Sequence, residues 1–145
     1  MLTHHFIFKP GLWIGEGKLS FNISKEELRF YTKWTISSAL DHTIHAFQQV
    51  EMEGAPEQVR NHFRFSQITD AGFVVELENE SMGLVHGTGV IDPNKIGWEF
   101  HLEGFEGFEM YSLIPEKEEY ALHAEYTPGN HFRTIIHGRI WQKTS

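Results

Sequence analysis

The stretch GLWIGEGKLSF, spanning Gly11–Phe21, places three glycines and one tryptophan in a segment that otherwise has the composition of a β-strand. Glycine weakens the interior of a flat strand, but it tolerates a tight bend and lets a neighbouring backbone or a ligand approach. In an alternating strand Trp13, Gly15 and Gly17 share one face. We therefore predict a strand that curves around a closed barrel, with the Trp13 ring plugging one end and open space above the two glycines.

The composition restricts the class of protein. A chain of 145 residues has the size of one domain, and we expect residues 1–145 to form a single β-barrel unit. Its formal charge of −8 opposes binding to nucleic acid or to an anionic membrane, so we expect neither as a partner. The absence of cysteine removes disulfides, cysteine nucleophiles and covalent c-type haem attachment. Because the N-terminus does not have the pattern of a secretory signal, we expect a cytoplasmic location.

Runs rich in aromatic and β-branched residues recur along the chain, separated by turn sequences such as TDAG and DPNK. They predict ten strands, the first at Phe6–Phe21, which could bend at Lys9-Pro10-Gly11. The others are at Leu28–Ser37, Thr43–Met52, Val59–Ile68, Phe73–Glu78, Leu84–Ile91, Ile96–Leu102, Phe108–Ile114, Tyr120–Tyr126 and Phe132–Trp141. The connections are hairpin-sized, and SKEELRFY and APEQVRNHF could each supply one helical turn. We predict an all-β fold, a single antiparallel meander of about ten strands that closes into a barrel because closure removes the exposed edges.

The glycine motif resembles the start of the calycin barrels, the group that includes the lipocalins, in which G-x-W opens the first strand. The G-x-W-x-G-x-G spacing that begins at Gly11 is most similar to that of nitrobindins, haem barrels of ten antiparallel strands that are like fatty-acid-binding proteins. In nitrobindins the motif continues into a Tyr-Pro-Thr segment, whereas here the chain continues with KLSFNI. The resemblance implies haem as a possible cofactor and a proximal histidine near the start of the last strand, where His131 lies.

The end of the last strand, GRIWQK, also resembles that of fatty-acid-binding proteins, in which an Arg-x-Tyr grips a fatty-acid carboxylate. Arg139 would be the counterpart of that arginine, with Trp141 in place of the tyrosine. The helical lid of that family does not fit in the short gap from Asn22 to Glu27, so we do not expect membership. The alternative role for Arg139 is a solvated arginine on the outer face.

Large apolar residues on the predicted inner face suggest a ligand cavity. A ten-stranded barrel need not be filled by side chains, and a cavity of roughly 300–1,000 Å³ would hold one small apolar ligand. His86, which lies among glycines in GLVHGTGVI, is the expected polar contact; a buried histidine satisfied by Thr88 is the alternative. The residues expected to contact the ligand through apolar side chains are Trp13, Trp34, Phe63, Phe100, Phe108 and Met110.

The sequence contains no nucleophile motif and no convergent pair of carboxylates, so it gives no reason to predict an enzyme. Its ten histidines include no local metal-binding motif, although a metal site gathered from different strands, such as His62, His86 and His101, stays open. As a haem-iron ligand His131 would have to face the interior, whereas alternation places it on the polar face with Arg139 unless a bulge reverses the strand.

Three functions follow from these observations. We expect the barrel to bind or carry a small hydrophobic or amphipathic ligand, lipids included. A haem-binding, nitrobindin-like protein is the first alternative. The second is a filled barrel that acts through its surface or as a homodimer, with Tyr31, Phe47, Val74 and Tyr111 as outward candidates for such a patch.

Overall fold

The ten strands of the computed structural model, which describes residues 4–128 and 133–143, form a closed antiparallel barrel. They are Gly11–Phe21 (β1), Glu27–Ile36 (β2), Ile44–Met52 (β3), Val59–Ser66 (β4), Gly72–Asn79 (β5), Gly83–Ile91 (β6), Lys95–Leu102 (β7), Phe105–Ile114 (β8), Glu119–Pro128 (β9) and Thr134–Gln142 (β10). Each strand pairs with its neighbours in sequence, and β1 pairs with β10 to close the barrel. The predicted all-β barrel is confirmed. No helix in the described ranges is long and apolar enough to cross a membrane.

The alternation of side chains along the strands sets which residues face the interior. In β2, Phe30, Thr32 and Trp34 are buried while Tyr31 and Lys33 are exposed. The same period of two, which the sequence predicts, holds in β5 and in most of β7, where Gly97 is also buried and Leu102 is exposed. The interior therefore receives mostly apolar side chains, and most of the charged residues lie on the outer wall.

The glycines of β1 permit close packing, as predicted, but the space above them is filled. A Cβ atom on Gly17 would lie 2.1 Å from the carbonyl oxygen of His137 and 2.7 Å from the ring of Phe30. On Gly15 it would lie 2.5 Å from a methyl group of Ile140. Side chains from the neighbouring strands thus fill the volume that we expected to be open, since Phe30 lies over Gly17 and Ile140 lies over Gly15.

The end of the barrel that holds the start of β1 is closed by the N-terminal segment. Phe6 is fully buried, and its ring packs against Trp13, Trp34, Tyr111 and Tyr120. The predicted first strand is too long at its beginning: the chain turns before Gly11, and the side chains of residues 6 and 7 enter the barrel instead of extending the sheet. Trp13 plugs this end as predicted. The Phe6 ring, which the predicted first strand included, is part of the same plug.

Neither of the two segments with helix-start patterns is helical. In the first, the Ser24 hydroxyl accepts a hydrogen bond from the backbone N–H of Glu26 at 3.0 Å, which makes a tight turn between β1 and β2. The second segment ends the β3–β4 connection and then enters β4 at Val59. Pairing in the barrel outweighs the weak local preference for a helical turn in both places.

Candidate functional site

A cavity of about 220 Å³ lies inside the barrel toward the end opposite the Phe6 plug. This open end carries the β1–β2, β3–β4, β5–β6 and β7–β8 turns. The apolar part of the wall includes Leu19, Phe63, Leu77, Leu122 and Ile136. Polar side chains converge on the cavity from two directions, from β3–β5 on one side and from β8–β9 on the other.

Glu109 on β8 is the central polar group of the cavity. It is only 8% exposed and is the one side chain with a carboxyl, amino, guanidinium or imidazole group among the described lining residues. The hydroxyl of Tyr111 donates to Oε1 at 2.6 Å, and the hydroxyl of Tyr126 donates to Oε2 in a short hydrogen bond. Burial raises the pKa of Glu109 above its ordinary 4.5, and the two tyrosine hydrogen bonds oppose that rise.

The groups around Glu109 are arranged as hydrogen-bond donors. Burial, followed by the charge of Glu109, raises the pKa of Tyr111 and of Tyr126 well above that of a free phenol, so both keep the proton they donate. The indole N–H of Trp98 also favours the charged form of Glu109, but it is buried without a hydrogen bond of ordinary geometry. Three donor groups therefore surround the carboxyl group, but burial outweighs them and disfavours its charged form.

The opposite wall of the cavity carries a chain of hydrogen-bonded amides. Gln48 donates to the hydroxyl of Thr32 at 3.0 Å, Asn61 donates to Gln48 at 2.8 Å, and Asn79 donates to Asn61 at 2.9 Å. The backbone N–H of Met82 completes the chain by donating to Asn79 at 2.8 Å. Because β4 and β9 lie five strands apart in a ring of ten, the amide chain faces the Glu109 side across the cavity.

The cavity continues into a groove at the rim of the barrel. This groove, about 670 Å³, runs between the turns after β3 and β5, and shares Val59 and Asn79 with the cavity. Most of its other lining residues are polar or charged, among them Glu57, Arg60 and Glu80. A separate depression of about 440 Å³ lies on the outer wall beside Arg139. We place the candidate site in the smaller interior cavity, because there a buried carboxyl group and several amides meet a largely apolar wall inside the barrel.

The predicted inward facing of four aromatic residues agrees with the structure. Trp13, Trp34, Phe63 and Phe100 are each at most 2% exposed. Only Phe63 lines the cavity; the other three belong to the packed core beneath or beside it. Contact of these side chains with a ligand stays a prediction.

The predicted inward facing of Phe108 and Met110 is wrong. Both lie on the outer wall, while Glu109 and Tyr111 point inward. The hairpin between β7 and β8 sets this register: Leu102 pairs with Phe105 across a two-residue turn, so Trp98 pairs with Glu109. We had assumed a longer loop there, and a one-residue change in register exchanges the two faces of a strand.

His86 and Arg139 also lie outside the barrel. The His86 side chain is 64% exposed, with Nδ1 3.3 Å from a carboxylate oxygen of Glu76, so its predicted position inside the cavity is wrong. Arg139 forms ion pairs with Glu16 and Glu119, each at 3.3 Å, and its guanidinium stacks over Trp141. Arg139 therefore lies on the outer face of the barrel, which was the alternative to a role in gripping a ligand carboxylate.

The described lining does not fit a haem group. Nine of the ten histidines lie in the described ranges, and none of these nine lines the cavity. His131, the expected proximal ligand, lies outside the described residues. His4, the one buried histidine among the nine, is at the closed end, where it contacts the Tyr120 hydroxyl and donates to the backbone carbonyl of Asp92. Among its described residues, the cavity lining thus offers no imidazole of the kind that the nitrobindin resemblance implies, and we assign no step to haem.

The four residues considered for an interaction patch do not form one. Tyr31 and Phe47 are exposed, at 52% and 49%, but Val74 is half-buried and Tyr111 is fully buried inside the barrel. The cross-strand histidine set considered for a metal is not assembled either, since no group of three or more potential ligands occurs in residues 4–128 and 133–143.

Sequence reasoning missed the polar residues of the cavity, which are Gln48, Asn61, Asn79, Glu109 and Tyr126. Two of them could have been found, since Asn61 has the same parity as Phe63 in β4, and Asn79 has the same parity as Leu77 in β5. For Glu109 the available signal was Gly104, which has a φ of 82° in the two-residue turn between Leu102 and Phe105; Glu103 before it is not a residue typical of such hairpins, so the signal did not fix the register of β8.

Comparison with known proteins adds information on the fold only. No protein-family model and no curated protein matches the chain. Among solved structures, the S-type phycobiliprotein lyase CPES from Guillardia theta superposes with a TM-score of 0.73, over 100% of this chain and 94% of that chain, at 7% sequence identity. The specific similarity to nitrobindins or fatty-acid-binding proteins is not confirmed. The chain therefore has the fold of a calycin-like barrel, closed by ten antiparallel strands.

Proposed function

We propose that the protein binds a small amphipathic molecule in the cavity at the open end, with a positively charged or hydrogen-bond-donating group of the ligand against Glu109. The observation that carries this proposal is the buried carboxyl group of Glu109, which faces a largely apolar cavity at the open end of the barrel and is held by two tyrosine hydroxyls. A buried carboxyl group of this kind is unfavourable for the empty barrel, and a cationic or donating ligand would compensate for that.

The hydrogen-bonding capacity of Glu109 supports this choice of ligand. Each carboxylate oxygen accepts one tyrosine hydrogen bond and has a second lone pair free for another donor. Among the described lining residues no side chain is basic, so a ligand carboxylate would meet negative charge without a cation to balance it. Lipids with a basic head group therefore belong to the proposed ligand class, whereas fatty acids do not.

The size of the cavity limits how much of the ligand lies inside. At about 220 Å³ it is smaller than most drug-sized sites, which span roughly 300–1,000 Å³, but larger than the roughly 150 Å³ apolar cavity that holds benzene. One ring or a short aliphatic chain fits the interior. The rest of a larger ligand would extend past Asn79 into the polar rim groove, where hydrogen bonds to amides and charged side chains are available.

The structural neighbour supports small-molecule binding in general terms. A protein described as a phycobiliprotein lyase has the same barrel fold, so its fold is compatible with a protein that acts on a small molecule. At 7% identity this likeness does not specify a ligand. The choice of a cationic or donating group rests on Glu109 alone.

A matched pair of ligands tests the proposal. We expect 4-phenylbutylamine to bind the purified protein, measured by tryptophan fluorescence and calorimetry, and 4-phenylbutyrate to bind much more weakly. Glu109→Gln should weaken binding of the amine about 10- to 100-fold, the effect of losing a hydrogen bond to a charged group. Glu106→Gln is the control, since Glu106 lies on the same strand but is exposed.

The pH dependence of the affinity for the amine gives a second, independent test. Since the pKa of Glu109 is raised, affinity for the amine should increase as the pH rises through that pKa, and Glu109→Gln should remove this increase. Equal affinities for the amine and the carboxylate, or an equal loss of affinity in Glu106→Gln, would contradict the proposal.

A further inference from the structure

Two histidines on the outer wall are placed as a pair of metal ligands. His123 on β9 and His137 on β10 are directly opposite in the strand register, and their Nδ1 atoms are 3.2 Å apart. We propose that these two imidazoles bind one divalent transition-metal ion of the kind that prefers imidazole nitrogen, such as Zn²⁺ or Cu²⁺. The site is separate from the cavity and does not depend on the ligand proposed there.

The spacing of the two nitrogens matches the geometry of a shared ion. Zinc binds histidine nitrogen at about 2.0–2.1 Å, so two nitrogens at a tetrahedral angle are about 3.3 Å apart. The observed 3.2 Å between the Nδ1 atoms matches this separation, and the two rings would turn out of their hydrogen bond so that both lone pairs point at the ion. Both histidines lie within strands of a closed barrel, which holds their backbones at this separation.

Glu125 prepares His123 for this role. The Nε2–H of His123 donates to Oε2 of Glu125 at 2.9 Å, which leaves Nδ1 of the neutral ring as the acceptor that points toward His137. Arg133 lies 3.7 Å from the other oxygen of the same carboxylate and helps to hold it. A carboxylate behind a histidine ligand is the usual arrangement in metal sites, where it fixes the tautomer and the orientation of the ring.

Proton balance allows the ion to bind without ionising a ring. In the metal-free pair the Nδ1–H of His137 donates to Nδ1 of His123; on binding, that proton moves to the exposed Nε2 of His137, so both imidazoles stay neutral. No third histidine, cysteine, aspartate or glutamate completes the group in the described residues, so water would fill the remaining positions. Lys18, opposite His137 on β1, adds positive charge that Glu125 offsets.

A second histidine pair on the outer wall provides the contrast. Nδ1 of His45 and Nε2 of His62 are 2.9 Å apart, but Nη1 of Arg64 lies 3.1 Å from Nδ1 of His62. Since a guanidinium only donates, the Nε2 of His62 carries the proton and donates to His45. A permanent cation thus takes the position that Glu125 has in the first pair, and we expect no metal ion to bind there.

The test compares variants of the two pairs in protein stripped of metal with a chelator. Titration calorimetry with Zn²⁺ should show one ion bound to the wild type. His137→Ala should abolish this binding, Glu125→Gln should weaken it about 10- to 100-fold, and His62→Ala should leave it unchanged. In heteronuclear NMR spectra of the wild type, Zn²⁺ should shift the ring signals of His123 and His137 but not those of His45.

Two outcomes would overturn the assignment. Unchanged Zn²⁺ affinity in His137→Ala would show that the ion binds elsewhere, and a loss in His62→Ala as large as that in His137→Ala would show that any surface histidine suffices. Far-UV circular dichroism establishes that each variant is folded, and the ring signals of the wild type identify the ligands independently of any variant.

Discussion

Glu109 shows how one residue can set the chemistry of an interior that is otherwise apolar. Its carboxyl group is held by two tyrosine hydroxyls and lies next to an indole N–H without a partner, so the protein surrounds it with donors and no cation. Burial disfavours its charged form and raises its pKa. The empty barrel therefore carries an unfavourable group that a suitable ligand would compensate.

The raised pKa of Glu109 makes the free energy of unfolding depend on pH, and the variant Glu109→Gln measures that dependence. A carboxyl group whose pKa is raised in the folded state stabilises the fold most below its ordinary pKa of 4.5, and that contribution is lost as the pH rises through the raised value. The free energy of unfolding of Glu109→Gln, measured with urea, should thus rise relative to wild type as the pH increases from about 4.5 and then level off.

The exposed Glu106 provides the control for this pH series. Glu106→Gln removes the same charge from the same strand at an exposed position, so it separates the effect of burying Glu109 from the loss of one charge. Groups that titrate in every variant cancel in these differences; one is His62, whose pKa is lowered by burial and then by Arg64. A difference between Glu109→Gln and wild type that stays constant with pH would contradict the raised pKa.

Glycines determine how closely individual strands of the barrel approach one another. In β1, Gly17 pairs with Gly138 of β10, and the Phe30 ring of β2 lies against both. The closing contact between the first and last strands depends on this absence of side chains. The glycines at Gly87 and Gly89 have the same function in β6, where the rings of Phe100 and Phe73 lie against them.

Gly17→Ala tests the closing contact. The added methyl group would lie 2.1 Å from the carbonyl oxygen of His137, which belongs to the backbone and cannot rotate away, so the strands must separate. We expect the free energy of unfolding, measured with urea, to fall by about 1–3 kcal/mol. Lys18→Ala, at an exposed outward position of the same strand, should change it by less than about 0.5 kcal/mol. Equal effects of the two substitutions would show that β1 and β10 are not packed closely at Gly17.

The barrel as a whole has two unlike ends. Rings from β1, β2, β8 and β9 surround Phe6 at the closed end, whereas the open end holds a cavity with polar groups on opposite walls. The N-terminal segment therefore completes the core even though it belongs to no strand.

Phe6→Ala measures the contribution of this plug to the whole molecule. Deleting a fully buried ring leaves a cavity among four strands, and we expect the free energy of unfolding to fall by about 3–5 kcal/mol. Unfolding in urea, monitored by tryptophan fluorescence, measures this change. Phe47→Ala removes the same ring from an exposed position on the outer wall and should have a much smaller effect. Similar losses for the two variants would mean that the N-terminal segment does not pack inside the barrel.

The sequence alone determined the number of strands, their order and most of their facings, because alternation and turn composition are local properties. Ten short runs separated by hairpin-sized turns leave little choice other than a closed meander. The facings of β2, β5 and β7 follow in the same way, since only one face of each strand is apolar.

The cavity chemistry depended on the tertiary structure. In β8 both faces carry large apolar side chains, so alternation could not choose between Phe108 with Met110 and Glu109 with Tyr111; the pairing with β7 made that choice. The amide chain and the His123–His137 pair likewise join residues that are far apart in sequence and meet only through the register of neighbouring strands. Local patterns thus specify a barrel, and the pairing of its strands decides which polar groups lie inside it.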